Sequence, residues 1–408
     1  MMNAGSSPSV LGHRVWGPLA LLLCWLLLVF PLVRVQLAEL AVVKQMPAQA
    51  LIFNSGHARA LAGAAVAFQV KGDQEQAIVY AKRALAREPM NVVAARTLGL
   101  ALEQTGQQAA ANQIMFLAGQ LGWRDVALQL WLIKGYALKN EVRESLRRAD
   151  ALARTNHLPE VTFPVFLGSI VDDRLREALA HEMADRPLWR GNFFYRILQL
   201  PAEQMPYVAA LVADLAKIGS PITPAERAIY LTRLVQLGYA QDAYAFWLRD
   251  QRGQGRASMP WDGGFEDVSA PGALTAPFQW QLTAESVGIA AVVPIGTGHQ
   301  LVVSPGRDYN GHLVIQTIVM TPGRYRIMAN VQGDATANGL HWSIRCVVGG
   351  NELPIDTGRT GEAFVPVSFV VPAGGCPAQT LALDIASGDS TGDTGNVTID
   401  NVRIQRIG

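Results

Sequence analysis

Net charge is almost absent from this chain, with 34 Lys and Arg against 33 Asp and Glu over 408 residues. Without a basic excess no long-range field gathers polyanions, so nucleic acid is not an expected partner. Catalytic signatures are missing too. There is no phosphate-cradling glycine loop closing on Lys and Ser or Thr, no paired-histidine metalloprotease helix and no nucleophile elbow. No two carboxylates stand apart as a glycosidase pair, and Asp172 and Asp173 read as helix caps. Histidine is sparse, and His57, His157, His181, His299, His312 and His341 fall at no metal-ligand spacing. These absences point to a protein that is not an enzyme and carries no catalytic cofactor.

Cysteine is scarcer still, with three in all. Cys24 lies in an apolar run, while Cys346 and Cys376 fall in one strand-rich region. The latter pair reads as a disulfide, which would place that region in an oxidising compartment, or as two buried thiols.

What the chain does have is one long charge-free stretch at 15–33, VWGPLALLLCWLLLVFPLV. Its length and apolarity predict a transmembrane helix, with a cleaved signal peptide as the rival reading. Flanking charges barely decide orientation. With the disulfide, they lead to a single-pass protein of a bacterial inner membrane. Residues 1–14 would form a cytoplasmic tail, the lipid bilayer would be the partner of 15–33, and the bulk would be periplasmic.

Residues 34–250 read as helix after helix, rich in Ala, Leu, Glu, Gln and Arg. Segments 58–91 and 92–125 align in register: Ala65 with Gly99, Phe68 with Leu102, Ala77 with Ala111, Ala84 with Ala118, and Gly72 with Gly106 at the inter-helix turn. Segment 126–159 keeps the helix-turn-helix character, with Asn140 at the turn, but Ser145 and Leu152 replace small residues. Pro89 closes the first segment. This pattern resembles a tetratricopeptide array, which implies an α-solenoid and a surface that binds another protein. Helices near 172–184, 206–218 and 224–238 would extend it irregularly. Trp189, Arg190 and Trp247 lie in aromatic-rich helical segments and read either as packing core or as partner-binding residues.

A polar, Gly-containing stretch at 251–258 reads as a linker. Beyond it, residues 259–408 alternate in short apolar segments at 300–303, 312–320, 325–331, 340–347, 365–371, 380–385 and 396–405, which predicts an antiparallel β-sandwich. The fragments WDGGFED, PFQW, LVIQTIVMTPGRYRI and TIDNVRI occur in this order. They resemble a carbohydrate-binding-module jelly roll of the galactose-binding-like group. The expected fold class is therefore multidomain: a transmembrane helix, an α-solenoid and a jelly-roll sandwich.

That second resemblance implies a structural calcium ion held by Glu266 and Asp400; hydrogen-bonded turn acids are the alternative. It also implies glycan binding, for which Trp261, Tyr309 and Trp342 are candidate stacking platforms, whereas Trp280, Tyr325 and Phe369 read as core. The expected function is a non-catalytic membrane-anchored scaffold, its repeats binding a protein and its sandwich binding polysaccharide in envelope or exopolysaccharide assembly or export. The alternatives are a purely protein–protein component of a secretion or envelope complex and, less favoured, a polysaccharide hydrolase or lyase.

Overall fold

The computed structural model describes residues 13–156, 158–251, 259–304, 309–357, 364–386 and 395–407, without the side chains of 13–23 and 26–28. Its described residues form fourteen α-helices followed by ten β-strands. The chain divides into two compact units, Met1–Ser169 and Ile170–Gly408.

The first unit begins with α1 (His13–Val43) and α2 (Pro47–Phe53). Three helix pairs follow: α3 (Ala58–Val70) with α4 (Gln74–Arg87), α5 (Val92–Gln104) with α6 (Gln108–Leu121), and α7 (Val126–Leu138) with α8 (Val142–Arg154). The first helices of the pairs start at Ala58, Val92 and Val126, and the second helices at Gln74, Gln108 and Val142, so both series advance by the same 34-residue step. The repeated sequence chemistry explains the period. His57, Asn91 and Asp125 each accept a hydrogen bond from the backbone three residues on and so cap α3, α5 and α7.

At the opposite ends Gly72, Gly106 and Asn140 all adopt left-handed φ angles of 83°, 79° and 59°. The amides of Asp73, Gln107 and Glu141 then reach back to the carbonyls of Phe68, Leu102 and Tyr136 at 3.0, 2.9 and 2.9 Å. These are the long back-bonds that satisfy orphan carbonyls and turn the chain sharply. Small residues let each pair close: Ala77, Ala84, Ala111 and Ala118 are fully buried, and a Cβ on Gly99 would lie 2.5 Å from the Met115 side chain. This array is tetratricopeptide-like, and α9 (Pro159–Ser169) ends the unit.

One expectation is overturned. Among the described residues no helix is long and apolar enough to cross a membrane, which removes the transmembrane element of the fold class, the inner-membrane localisation and the lipid partner built on it. The physical reason lies in how α1 continues. It runs unbroken past residue 33 through Arg34, Gln36 and Glu39, and Ala38 and Ala41 are buried. Ala41 clusters with Ala50 of α2 and Ala60 of α3. Arg34 donates from Nε to the Phe53 carbonyl at 2.9 Å, and Glu39 lies 3.1 Å from His57 Nε2. The C-terminal half of this helix is a member of the array.

The second unit opens with α10 (Asp173–Ala184), α11 (Trp189–Ile197), α12 (Met205–Lys217), α13 (Pro224–Gln236) and α14 (Ala240–Asp250). Two antiparallel sheets follow. The four-stranded sheet has the order β1 (Gln281–Leu282), β4 (Gly311–Ile318), β9 (Gln379–Ile385), β6 (Leu340–Cys346). The six-stranded sheet has the order β2 (Ala290–Ile295), β3 (Gly298–Val303), β10 (Val397–Arg406), β5 (Gly323–Gln332), β8 (Val367–Val371), β7 (Ile355–Asp356). Strand alternation sends Leu381, Leu383 and Ile344 from one sheet and Ile327, Phe369 and Ile399 from the other into one core.

From residue 252 on, the linker read at 251–258 lies outside the described residues. Within the second unit α14 packs onto the β-rich part: the Trp247 ring meets Trp261 at 4.8 Å and Phe278 at 5.5 Å.

Gly106→Val should cost about 1–2 kcal/mol, since a branched side chain is strained at a left-handed φ. Asn140→Gly should be neutral or mildly stabilising. Urea unfolding followed by circular dichroism measures both, and equal costs at the two positions would contradict the shared turn.

Candidate functional site

A recess of the array lies where α5, α6 and α7 meet, with a volume of about 370 Å³. Phe116 of α6 and Trp131 of α7 form its aromatic floor, their rings 5.3 Å apart and edge to face at 71°. Tyr136 supports Phe116 from behind at 5.0 Å. Gly135 makes this floor possible, because a Cβ there would stand 3.1 Å from Trp131 and 3.3 Å from Phe116. The Trp131 indole N–H donates to Glu103 Oε2 at 2.8 Å, which fixes the ring across adjacent repeats.

Around the floor stand Gln108, Asn112, Lys134, Leu138 and Lys139. The Lys139 ammonium lies 3.4 Å from the Phe116 ring centre, a cation–π contact that leaves its remaining donors free for a ligand. Leu138 is 79% exposed. An apolar floor with amide and ammonium donors at its rim suits a peptide segment with an apolar side chain beside carbonyl or carboxylate acceptors.

The three residues read as partner contacts or core are buried, with Trp189 at 3%, Arg190 at 1% and Trp247 at 1% exposure. Arg190 is held bidentately by Glu226, Nε to Oε1 at 2.8 Å and Nη2 to Oε2 at 2.9 Å, and also donates to Ser220 Oγ and the Met183 carbonyl. Glu226 at the same time accepts from Thr223 N in a capping box at the start of α13. The guanidinium is thus a staple joining α10, α11 and α13.

Trp261 is also buried, packed on Trp247, so it offers no open face to a sugar. Tyr309 donates to the His312 carbonyl at 3.2 Å. Trp342 is 4% exposed, yet it lines a recess of about 550 Å³ at the β6 edge with Phe364, His341, Glu352, Thr336 and Thr357. Cys346 and Cys376 are bonded to each other and join the end of β6 to the segment before β9.

Glu266 and Asp400 do come to one corner. A Cβ on Gly264 would lie 3.6 Å from Glu266 Oε1 and 3.7 Å from Asp400 Oδ1. Their oxygens, however, accept from N–H groups: Glu266 Oε1 from His299 N at 3.2 Å, and Asp400 Oδ1 and Oδ2 from Asn401 N and Nδ2 at 2.6 and 3.0 Å. Calcium takes six to eight oxygens, and among the described residues no three acidic, His or Cys side chains converge on one point.

Sequence reasoning missed the recess at Phe116, Trp131, Lys134 and Lys139. A signal for it existed in the 28-residue offset of Trp131 from Glu103, which pairs neighbouring first helices of a 34-residue repeat.

No family model matches the chain, and no curated protein matches it. Among solved structures, the chain is similar to a Bacteroides ovatus protein provisionally described as protein-binding, with 15% identity, TM-score 0.20 and coverage of 45% of this chain and 98% of that one. It is also similar to Pseudomonas aeruginosa pilF, with 17% identity, TM-score 0.21 and coverage of 56% and 94%.

Removing the Arg190 staple is expected to destabilise the second unit strongly. Arg190→Ala leaves Glu226 buried without its cation and should cost about 3–5 kcal/mol in urea unfolding. The neutral pair Arg190→Met with Glu226→Gln should cost far less, and a single-variant cost below about 1 kcal/mol would show that the pair is not a buried staple.

Proposed function

We propose that this chain is a non-catalytic scaffold whose tetratricopeptide-like repeats dock a protein partner in the recess between α5, α6 and α7. The observation that carries this reading is the aromatic floor of Phe116 and Trp131 beneath an exposed Leu138 and two lysines. Stacked helix pairs hold such a recess in place without closing over it, because each repeat contacts only its neighbours. Exposed apolar area beside free donors is what a peptide side chain and its backbone carbonyls would cover. The two lysines favour a segment carrying acidic side chains.

A second reading assigns the β-rich part to a glycan. The recess at the β6 edge favours it, since the half-buried Phe364 stands there beside His341, Glu352, Thr336 and Thr357. Burial of Trp261 weighs against a broad stacking platform.

A photo-reactive residue placed at Lys134 of the intact chain, in extracts of the source cells, tests the first reading. The expected result is one crosslinked adduct of defined mass whose yield falls about tenfold or more with Leu138→Asp, as for an interface hot spot. An adduct indifferent to Leu138→Asp, or none at all, would reject the recess as the docking site.

A further inference from the structure

A recess of about 360 Å³ opens within the second unit, lined by α12, α13 and α14. One face of α14 runs along it, because Asp242, Ala245, Phe246 and Arg249 recur at the i, i+3, i+4, i+7 spacing of a single helix stripe. Trp247 lies off this stripe and ties the helix to Trp261 and Phe278 instead. Met205 of α12 and Tyr230 and Leu234 of α13 are buried at the base, while Pro206 and Ala209 of α12 are exposed at the rim. Tyr230 meets Phe246 edge to face, with ring centres 5.8 Å apart and planes at 80°.

Polar groups stand at the two ends of this apolar recess. At one end Tyr230 is only 5% exposed, yet among the described residues its hydroxyl makes no hydrogen bond and is not sealed from solvent. Burial first, and the nearby Asp242 charge second, push this phenol above its ordinary pKa. It is therefore neutral, and its oxygen is open to an N–H donor. Tyr239, just ahead of α14, brings a second and half-exposed phenol to the same end. Arg249 stands about two turns further along α14, roughly 10 Å by helix rise. Among the described residues neither Asp242 nor Arg249 has an ion-pair partner.

These features select the occupant. A carboxylate beside two phenols suits an ammonium, which both carboxylate oxygens and ring faces attract. A free guanidinium suits a carboxylate. Between the two ends Ala209, Leu234, Ala245 and Phe246 offer no hydrogen-bonding side chain. A body with internal amides would lose its hydrogen bonds to water there, whereas a hydrocarbon body would gain by leaving water.

We propose that the recess of α12, α13 and α14 binds a small zwitterion with a hydrocarbon body, its ammonium at Asp242 and Tyr230 and its carboxylate at Arg249. The ammonium donates to the Asp242 carboxylate and the Tyr230 oxygen, and Arg249 donates to the ligand carboxylate. The site lies in the second unit and does not depend on the docking recess of the first.

Calorimetric titration of the intact chain with ω-aminooctanoate, octylamine and octanoate tests the site, because the three share one body and differ in their charged ends. The expected result is one saturable site that binds the zwitterion about fivefold or more tighter than either singly charged analogue. Asp242→Asn should remove the advantage over octanoate, and Arg249→Gln the advantage over octylamine. Tyr230→Phe should weaken both amines and leave octanoate unchanged. Asp242 and Arg249 are exposed, so their variants are expected to fold. If these charges serve only the helix termini, the two variants will lower the melting temperature and leave the ranking of ligands as it was, which would overturn the proposal. Trialanine, of similar length but with internal amides, should bind more weakly than ω-aminooctanoate. No saturable binding of ω-aminooctanoate, equal binding of all three probes, or tighter binding of trialanine would likewise overturn it.

Discussion

Three backbone positions, Gly72, Gly106 and Asn140, must sit at left-handed φ for the first unit to exist as it does. Each ends the first helix of a pair and sends the chain back along it, and each leaves the following amide free to close the helix end on a carbonyl five residues earlier. Because the turns repeat at a fixed step, the second helices return at the same height and their alanines meet the same faces. The recess at Phe116 and Trp131 is a consequence. It sits where two repeats join, and its floor stays open because Gly135 adds no side chain there.

The second unit is held by different means. Arg190 and Glu226 supply directional bonds inside the helices, and Trp247, Trp261 and Phe278 tie the last helix to the start of the strand-rich part. A buried ion pair fixes geometry more than it adds stability, whereas the aromatic knot removes apolar surface from water. Strand alternation fills the core between the sheets, and the Cys346–Cys376 bond ties the end of β6 to the segment before β9.

Much of this was legible in the sequence. The repeat step could be read because glycine and small residues recur where close helix packing demands them, and seven strands could be read from alternation. Strand β2 could not, since Ala290, Ala291 and Pro294 weaken the strand signal at a sheet edge. Nor could the two-residue β1 and β7. The hydrophobicity of 15–33 suggested a membrane span, but the helix carrying it continues into the array. Trp189, Arg190 and Trp247 show why a site is harder to read than a fold: an aromatic or Arg on a helix looks the same whether its face meets solvent or a neighbour. The recess of α12, α13 and α14 was invisible for another reason, since which helix faces come together is set by the whole fold and not by local spacing.

The repeat architecture rests on the three back-bonds, so residue-resolved amide hydrogen exchange at Asp73, Gln107 and Glu141 tests it most directly. The expected result is protection at all three amides well above that of Arg124 in an exposed loop of the same unit. Exchange at Asp73, Gln107 and Glu141 as fast as at Arg124 would contradict the account.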